Sequence, residues 1–307
     1  MKIVIPDKID FTQEQLQQLQ ELNAIIYDDI PNDSTEIIKR AKNAEIITAN
    51  YIDITPEIID KLDNLKYIVV PAVGYEWVDV KYASSKGITV VNCPTFNSQS
   101  VAEMAFTLAL NISRKIIDAN VSLKQGKWDP VPFTGYELSG KRIGLIGYGN
   151  VGKRVEKIAM GFDMHVAYIN SESSSEEIDN VLRQSDYVVL CVQLNEKTKH
   201  MIDARRLTLM NKDAFLINVC RGAVVDQSAL LNALKENEIL GAGLDVFEDE
   251  PLIGKPSDQI MEFAGLQNVL AIPHIAANTH ESHKKLGNEV ISNFKAIIAG
   301  TPVHIIA

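Results

Sequence analysis

An arginine, a cluster of acids and a histidine each follow an apolar run in the second half of the sequence. Arg221, the acidic stretch 248–250 and His274 occupy these three places. A guanidinium group presents a planar fork of donors that suits the two oxygens of a carboxylate. A histidine exchanges protons near neutral pH, and a neighbouring carboxylate favours its charged form. Together such residues could bind an anion and move a proton, although each alone is more typical of a surface loop or a turn.

A glycine-rich loop of the form G-x-G-x-x-G lies upstream of these residues, between an apolar run and a helical pattern. Gly147 allows the tight turn, Gly149 lets the backbone approach a pyrophosphate, and Gly152 lets the helix pack closely on the strand. Asn150 and Val151 open the helix, whose N-terminal N–H groups and positive dipole end favour phosphates. The loop therefore predicts a dinucleotide-binding site.

The residue that would discriminate between NAD and NADP is an asparagine. An acid that binds the ribose usually lies about 20 residues after the glycines, and Asn170 lies 18 residues after Gly152. Asparagine lacks the charge that would repel a 2′-phosphate, and Ser171, Ser173 and Ser174 could donate hydrogen bonds to one. No arginine stands beside Asn170, and a loop asparagine without a role in discrimination is the alternative. The sequence permits NAD or NADP and leaves the preference open.

The composition is that of an acidic globular protein of about two domains. The 307 residues carry 30 Lys and Arg against 40 Asp and Glu, a net charge of −10. This charge gives no basic field for nucleic acid or an anionic membrane, so neither is predicted as a partner. Cys93, Cys191 and Cys220 form neither a metal spacing nor a disulfide framework, and the N-terminus lacks the pattern of a signal peptide. We therefore predict a cytoplasmic protein without a bound metal.

Apolar runs alternate with helical patterns along the whole chain, which predicts parallel sheets covered by helices. A long helix is predicted over residues 98–118, an irregular bridge over 120–138, and a final helix over 279–299. Ser175 is predicted to cap the helix that follows the serine-rich stretch. The predicted strands cover residues 2–5, 24–27, 45–49, 67–71 and 88–91 before the long helix, and 143–146, 164–169, 187–191, 214–218, 240–245 and 269–272 after it.

Several segments, taken in order, resemble a single family. They are Pro71-Ala72-Val73-Gly74-Tyr75, Asn97-Ser98-Gln99-Ser100-Val101-Ala102-Glu103, Gly135-Tyr136-Glu137-Leu138-Ser139-Gly140-Lys141, the glycine loop, and the ordered set Arg221, Glu250 and His274. With these segments the chain resembles the D-isomer-specific 2-hydroxyacid dehydrogenases, which are NAD(P)-dependent enzymes. The resemblance implies an α/β fold with two doubly wound parallel-sheet domains. A Rossmann cofactor domain of residues 99–281 would be inserted into a discontinuous, flavodoxin-like substrate domain of residues 1–98 and 282–307.

The resemblance also implies roles for the ionisable residues. Arg221 would hold the substrate carboxylate and polarise the C2 carbonyl, and His274 would give a proton to the C2 oxygen during reduction. Glu250 would orient the ring of His274 and favour its protonated form. The choice of Glu250 over Glu248 rests on the family's spacing, five residues beyond Asp245.

Further contacts and the assembly follow from the same resemblance. Asp245 would hold the carboxamide of the nicotinamide, and the backbone N–H groups of Val73 and Gly74 would bind the substrate carboxylate. The active site would lie in a cleft between the domains. The protein would be a homodimer joined through its cofactor domains, with the predicted helix 98–118 contributing.

The sequence thus predicts an oxidoreductase that transfers a hydride between NAD(P)H and C2 of a small 2-ketoacid or D-2-hydroxyacid. Which acid it takes stays open, as does the physiological direction. The alternative is a dinucleotide-sensing binding protein, or a corepressor-like scaffold of the same superfamily. The complete set of Arg221, Glu250 and His274 argues against a protein that only binds the dinucleotide.

Overall fold

The computed structural model describes residues 1–251 and 254–307, which form two compact units. The first unit comprises Met1–Asn97 and Asn278–Ala307, and the second comprises Ser98–Ala277. Within these described ranges, no helix combines the length and the apolar character that crossing a membrane requires.

The sheet of the first unit has five parallel strands in the order β2-β1-β3-β4-β5. This order is that of flavodoxin-like doubly wound sheets. The last residues of the chain add an antiparallel bridge between Val91 and Ile305, which covers the open edge of β5. The strands are β1 (Ile3–Ile5), β2 (Ile25–Ile26), β3 (Ile46–Thr48), β4 (Tyr67–Val70) and β5 (Thr89–Asn92).

The sheet of the second unit has six parallel strands in the order β11-β10-β9-β8-β6-β7. The strand order reverses at β6, whose neighbours are β7 on one side and β8 on the other. Ligands of open α/β sheets bind beyond the carboxyl ends of the strands at such a reversal. The strands are β6 (Arg142–Ile146), β7 (His165–Ile169), β8 (Tyr187–Leu190), β9 (Phe215–Asn218), β10 (Gly241–Leu244) and β11 (Val269–Ala271).

Helices cover both faces of each sheet. On β9, Leu216 belongs to the buried cluster on one face and Ile217 to the cluster on the other, because successive side chains of a strand point to opposite faces. The helices of the first unit are α1 (Gln13–Glu21), α2 (Ser34–Ala41), α3 (Pro56–Ile59), α4 (Val80–Ser85) and, at the end of the chain, α12 (His280–Ile298). Those of the second unit are α5 (Ser98–Arg114), α6 (Ile116–Lys124), α7 (Asn150–Gly161), α8 (Ser175–Gln184), α9 (Ala204–Leu209), α10 (Gln227–Lys235) and α11 (Asp258–Gly265). The predicted α/β class with two doubly wound parallel sheets is confirmed.

The prediction of one helix over residues 98–118 followed by an irregular bridge is wrong in detail. α5 ends at Arg114, Lys115 takes a left-handed conformation with φ of 50°, and α6 then runs from Ile116 to Lys124. A Cβ added to Gly135 would collide with the carbonyl of Ser113, so the chain returns in close contact with the end of α5. Gly135 and Ser113 are distant in sequence, and no residue of α6 is buried. The local hydrophobic pattern therefore does not indicate that α5 ends at Arg114.

The predicted cap of α8 is also displaced by one residue. Ser174 rather than Ser175 caps the helix, because its hydroxyl accepts the N–H of Glu177 while the Glu177 carboxylate accepts the N–H of Ser174. A capping box needs Glu or Gln three residues after the cap. That spacing selects Ser174, since the third residue after Ser175 is Ile178.

Candidate active site

The glycine loop joins β6 to α7 at the reversal of the second sheet. Gly147 has a φ of 110°, and a Cβ there would lie 2.7 Å from the carbonyl oxygen of Cys191. A Cβ on Gly152 would collide with the carbonyl of Gly147, whereas a Cβ on Gly149 would meet no described atom within 4 Å. Gly149 precedes α7 without supplying a side-chain cap, so the first N–H groups of the helix, from Asn150 onward, remain available to an anion. The loop fits the pyrophosphate of a dinucleotide.

The second loop at this edge follows β7. The Asn170 side-chain oxygen accepts the N–H of Glu172 at 2.8 Å, and the Asn170 N–H donates to the Ser173 hydroxyl at 3.2 Å. Ser171 is exposed beside them. Asn170 therefore shapes its own turn with its oxygen and adds no charge at the place where NAD-type sites carry an acid.

One aromatic contact between these two loops was not foreseen from the sequence. The rings of Tyr148, in the glycine loop, and Tyr168, near the end of β7, stack with centroids 3.8 Å apart and planes at 10°. The Tyr148 hydroxyl also hydrogen-bonds Glu156 on α7. The stack ties the glycine loop to the strand that leads into Asn170. The two tyrosines are 20 residues apart, and only the parallel pairing of β6 and β7 brings them together.

His274 and Glu250 form a close pair beyond the ends of β10 and β11. His274 Nδ1 lies 2.6 Å from Glu250 Oε1, and the other Glu250 oxygen accepts the Phe247 N–H at 3.0 Å. Glu250 is thus fixed through both oxygens. Because the pair uses Nδ1, the opposite ring nitrogen of His274, Nε2, faces away from the carboxylate.

The pair is arranged so that each partner favours the charged form of the other. Partial burial lowers the pKa of His274, but the hydrogen bond and charge of Glu250, with the charge of Asp245, outweigh it and leave the pKa raised above 6.5. Burial raises the pKa of Glu250, but the hydrogen bond and charge of His274 and the Phe247 N–H leave it below 4.5. The positive charge of Arg221 makes the smallest contribution and lowers the pKa of both residues.

Asp245 anchors the segment that carries His274. It is 1 % exposed, and its carboxylate accepts the N–H of Ile275 at 2.7 Å and that of Ala276 at 3.0 Å. Its backbone carbonyl accepts the His274 N–H at 2.8 Å. Burial raises the pKa of Asp245 despite these N–H groups, which act in the opposite direction. His274 itself is held in the left-handed region with φ of 48°, and neither feature was foreseen from the sequence.

Arg221 follows β9 and lies against the loop of Glu250. Its Nη1 donates to the Cys220 carbonyl at 2.8 Å, and Asn218 Nδ2 donates to the Arg221 carbonyl at 3.0 Å. A Cβ on the next residue, Gly222, would overlap the backbone of Phe247 and Glu248. Only glycine therefore allows the arginine segment and the acidic loop to approach so closely.

The two neighbouring acids have different partners. Glu248 contacts Nε2 of His200 with both oxygens, at 3.0 and 3.1 Å, and its N–H donates to Gln227 at 2.7 Å. Asp249 accepts from the amide of Gln227 at 2.7 Å. Of the three acids in the stretch, Glu250 is therefore the one paired with His274.

The second unit thus brings Arg221, Asp245, Glu250 and His274 to one edge of its sheet. Val73 and Gly74 belong to the first unit, in the loop after β4. In that loop the Ala72 carbonyl accepts the Cys93 N–H at 3.0 Å, and the Val73 carbonyl accepts Nδ2 of Asn92 at 2.8 Å. The sequence analysis did not single out Asn92.

A match to a family model shows to which family this chain belongs. The model described as "D-isomer specific 2-hydroxyacid dehydrogenase, NAD binding domain" matches residues 106–276, more than half of the chain. The chain belongs to the D-isomer specific 2-hydroxyacid dehydrogenase family. The resemblance inferred from the sequence is confirmed, and so is the reaction class, hydride transfer between NAD(P)H and C2 of a 2-ketoacid or 2-hydroxyacid.

Individual members of the family match this dehydrogenase over most of its length. A D-3-phosphoglycerate dehydrogenase of Methanocaldococcus jannaschii is 37% identical over 86% of the chain, which spans only 52% of that relative. A hydroxypyruvate reductase of Thermotoga maritima is 34% identical over 94% of the chain and 96% of its own length. The chain therefore spans about half the length of the first relative and nearly all of the second.

A solved structure shows the same fold from end to end. The acyclic imino acid reductase Bsp5, in complex with NADPH and D-Arg, superposes on the dehydrogenase with a TM-score of 0.90, 32% identity and full coverage of both chains. Together with the NAD-binding description of the family model, this structure supports the predicted cofactor class, NAD or NADP.

Proposed function

We propose that this dehydrogenase works as a reductase of small 2-ketoacids. The observation that carries the proposal is the 2.6 Å contact between His274 Nδ1 and Glu250 Oε1, close to the charge of Arg221. A histidine that holds its carboxylate partner through Nδ1, leaves Nε2 for another group and feels the charge of an arginine suits a substrate with an anionic group and an oxygen to be protonated. Both features occur together in 2-ketoacids.

His274 acts as the general acid in this proposal. Its Nε2 donates a proton to the C2 oxygen during reduction and accepts it back during oxidation. Glu250 holds the ring through Nδ1 and keeps the imidazolium populated, since the pKa of His274 is raised. When bound, the reduced nicotinamide supplies the hydride to C2. Asp245 fixes the backbone of residues 274–276 so that the proton is delivered from a constant position.

Arg221 binds the substrate carboxylate in the proposal. Its fork pairs with two oxygens, and its charge draws electron density from the adjacent C2 carbonyl. The backbone N–H groups of Val73 and Gly74 supply further donors to the same carboxylate. On this basis we assign substrate binding to a domain of residues 1–98 and 282–307 and cofactor binding to a domain of residues 99–281.

The cofactor contacts that we propose lie along the reversal of the second sheet. Gly147, Gly149 and Gly152 shape the cradle, and the N–H groups of Asn150 and Val151 bind the pyrophosphate, in line with the uncapped start of α7. Asn170 and Ser171 face the adenosine ribose and admit NADP as well as NAD. Asp245 additionally accepts a hydrogen bond from the nicotinamide carboxamide.

Initial rates test the proposal directly. NADPH and NADH are each supplied with pyruvate, glyoxylate, hydroxypyruvate or 2-ketoisocaproate, and cofactor oxidation is followed by absorbance. We expect turnover with at least one acid, and the ratio of the two cofactors measures the contribution of Asn170. The His274→Gln variant, prepared identically, excludes a contaminating reductase. Tight cofactor binding without turnover of any acid would instead favour the dinucleotide-sensing scaffold.

We also propose a homodimer, supported by an exposed apolar region that follows α5. Trp128 is 88 % exposed, Val131 77 %, Leu123 54 % and Ile116 52 %. A monomer rarely leaves so many large apolar side chains in one stretch of chain in water. Light scattering of wild type and Trp128→Ser tests this proposal: a wild-type mass of one chain contradicts it.

A cytoplasmic location completes the proposal. Its support is that all three cysteines are free thiols, as expected in a reducing compartment. The net charge of −10 also makes nucleic acid an unsuitable partner. Fractionation of cells that express the tagged protein would contradict the location if the protein were recovered outside the cytoplasm.

A further inference from the structure

Two adjacent carbonyls of the loop after β4 are held by one short segment of the chain. The Ala72 carbonyl accepts the N–H of Cys93 at 3.0 Å, and the Val73 carbonyl accepts Nδ2 of Asn92 at 2.8 Å. Asn92 is the last residue of β5, which pairs in parallel with β4. The end of β5 therefore determines the direction of two consecutive peptide planes in the neighbouring loop.

The orientation of these carbonyls also determines where two N–H groups point. In a planar trans peptide the C=O and the following N–H point in opposite directions. The peptide that contains the Ala72 carbonyl also contains the Val73 N–H, and the peptide that contains the Val73 carbonyl contains the Gly74 N–H. Both N–H groups therefore point away from β5, and within the described chain neither donates a hydrogen bond.

A pair of successive backbone N–H groups without internal acceptors forms a small anion-binding concavity. These are the two groups to which the proposed function assigns the substrate carboxylate. Their direction does not depend on the side chains of Val73 or Gly74. It depends on the two donors that hold the carbonyls of the same peptides. These donors are the Cys93 N–H and the side-chain amide of Asn92.

Asn92 is itself firmly held. The residue is 7 % exposed, and its backbone carbonyl accepts Nδ2 of Asn293 at 2.9 Å. Asn293 lies on α12, is 1 % exposed, and also contacts the Cys93 sulfur at 3.6 Å. The donor to Val73 thus belongs to a buried chain of amides that runs from the last helix to the loop.

We propose that Asn92 is a positioning residue for the substrate carboxylate. Its amide turns the Val73–Gly74 peptide so that the Gly74 N–H faces the carboxylate oxygens, while the Cys93 N–H does the same for Val73. The inference rests on the proposed function and deepens it, because it makes recognition of the carboxylate depend on an amide that does not contact substrate.

The test compares Asn92→Leu, which keeps the side-chain size but removes the donor, with Asn268→Leu. Asn268 also donates its amide to a backbone carbonyl, that of Leu234 at 3.1 Å in the second unit, so the two variants lose the same kind of bond. We expect Asn92→Leu to raise KM for the best 2-ketoacid about 10- to 100-fold, with a smaller change in kcat. Asn268→Leu is expected to leave KM within about twofold.

Two further readouts separate positioning from general damage. The affinity for NADPH, measured by fluorescence, is expected to stay at the wild-type value in Asn92→Leu. The preference for a 2-ketoacid over its methyl ester, taken as a ratio of kcat/KM values, is expected to fall along with the rise in KM. A merely structural role would lower the active fraction for acid and ester alike and leave that ratio unchanged.

Asn92→Asp serves as a second variant because it preserves the shape of the side chain. An ionised carboxylate cannot donate to the Val73 carbonyl and adds a negative charge behind the loop, so KM is expected to rise at least as much. A folded Asn92 variant with wild-type KM and wild-type ester preference would overturn the inference. Failure of the wild type to reduce any 2-ketoacid would instead overturn the proposed function, so the two failures are distinguishable.

Discussion

Two glutamates in the loop after β10 each pair with a histidine from another part of the second unit, and the two pairs look alike at first. Glu248 contacts His200 at 3.0 Å, and Glu250 contacts His274 at 2.6 Å. Both histidines have left-handed backbones, with φ of 49° and 48°. Glu248, however, contacts Nε2 of its histidine, whereas Glu250 contacts Nδ1.

In the proposed function, this difference separates an attachment from a proton donor. His274 retains Nε2, the nitrogen at the tip of the ring, for another partner, and the charges of Arg221 and Asp245 act on it. His200 places its tip nitrogen on Glu248 and joins the loop to the turn that precedes α9. We therefore expect Glu248 and Glu250, identical residue types two positions apart, to serve different purposes, because they contact different ring nitrogens.

The largest effect that would distinguish the two pairs is loss of the acid itself. His274→Gln is expected to lower kcat about 10²- to 10⁴-fold while NADPH binding is retained, because no proton donor remains for the C2 oxygen. Steady-state rates and cofactor fluorescence measure the two quantities. Turnover close to that of the wild type would refute the proton role of His274.

Replacement of the neighbouring cation should produce the next largest effect. Arg221→Lys is expected to raise KM and lower kcat, together costing about 10- to 1,000-fold in kcat/KM, since a point charge replaces a fork that binds two oxygens. Rates over a range of ketoacid concentrations give both constants. If both constants are unchanged, another residue anchors the carboxylate.

The pH profile sharpens the comparison of the two glutamates. Reduction requires the charged form of His274, so kcat/KM should stay high below its raised pKa and fall as the pH rises through it. In Glu250→Gln the carboxylate charge is lost, the pKa of His274 falls, and the decline should begin at lower pH, with a loss of about tenfold or more above neutrality. Glu248→Gln is the matched control, and an equal shift in both variants would contradict the assignment.

A smaller effect is expected at the other histidine. His200→Gln removes the contact with Glu248 but leaves Gln227 to hold the same segment through the Glu248 N–H and the Asp249 carboxylate. We expect kcat/KM within about threefold of the wild type. A loss as large as that of His274→Gln would show that the two pairs work as one unit.

Features that depend on nearby residues were predictable from the sequence. The predicted cap of α8 is displaced by only one residue, and each predicted strand of the second sheet lies within two residues of an observed one. The family, the fold class and the cofactor class were also identified correctly. These features are encoded by short patterns, because a cap, a buried strand or a glycine turn involves only a few consecutive residues.

Features that depend on distant partners could not be predicted in the same way. The break at Lys115 lies beside the contact between Gly135 and the end of α5, and the donor to Val73 comes from Asn92, 19 residues later. His200 and Glu248 are 48 residues apart. The roles of Arg221, Glu250 and His274 stay predictions, since they await kinetics rather than geometry.

The left-handed backbone of His274 has a consequence for selection and engineering. A residue with a Cβ in this region costs about 1 to 2 kcal/mol, and asparagine tolerates it better than most. His274→Asn should therefore melt at a higher temperature than His274→Gln, although both should be inactive; equal melting temperatures would contradict this. A screen that rewards heat resistance alone would then rank asparagine above glutamine at this position, although neither transfers the proton. Activity must be selected together with stability if the residue is to survive.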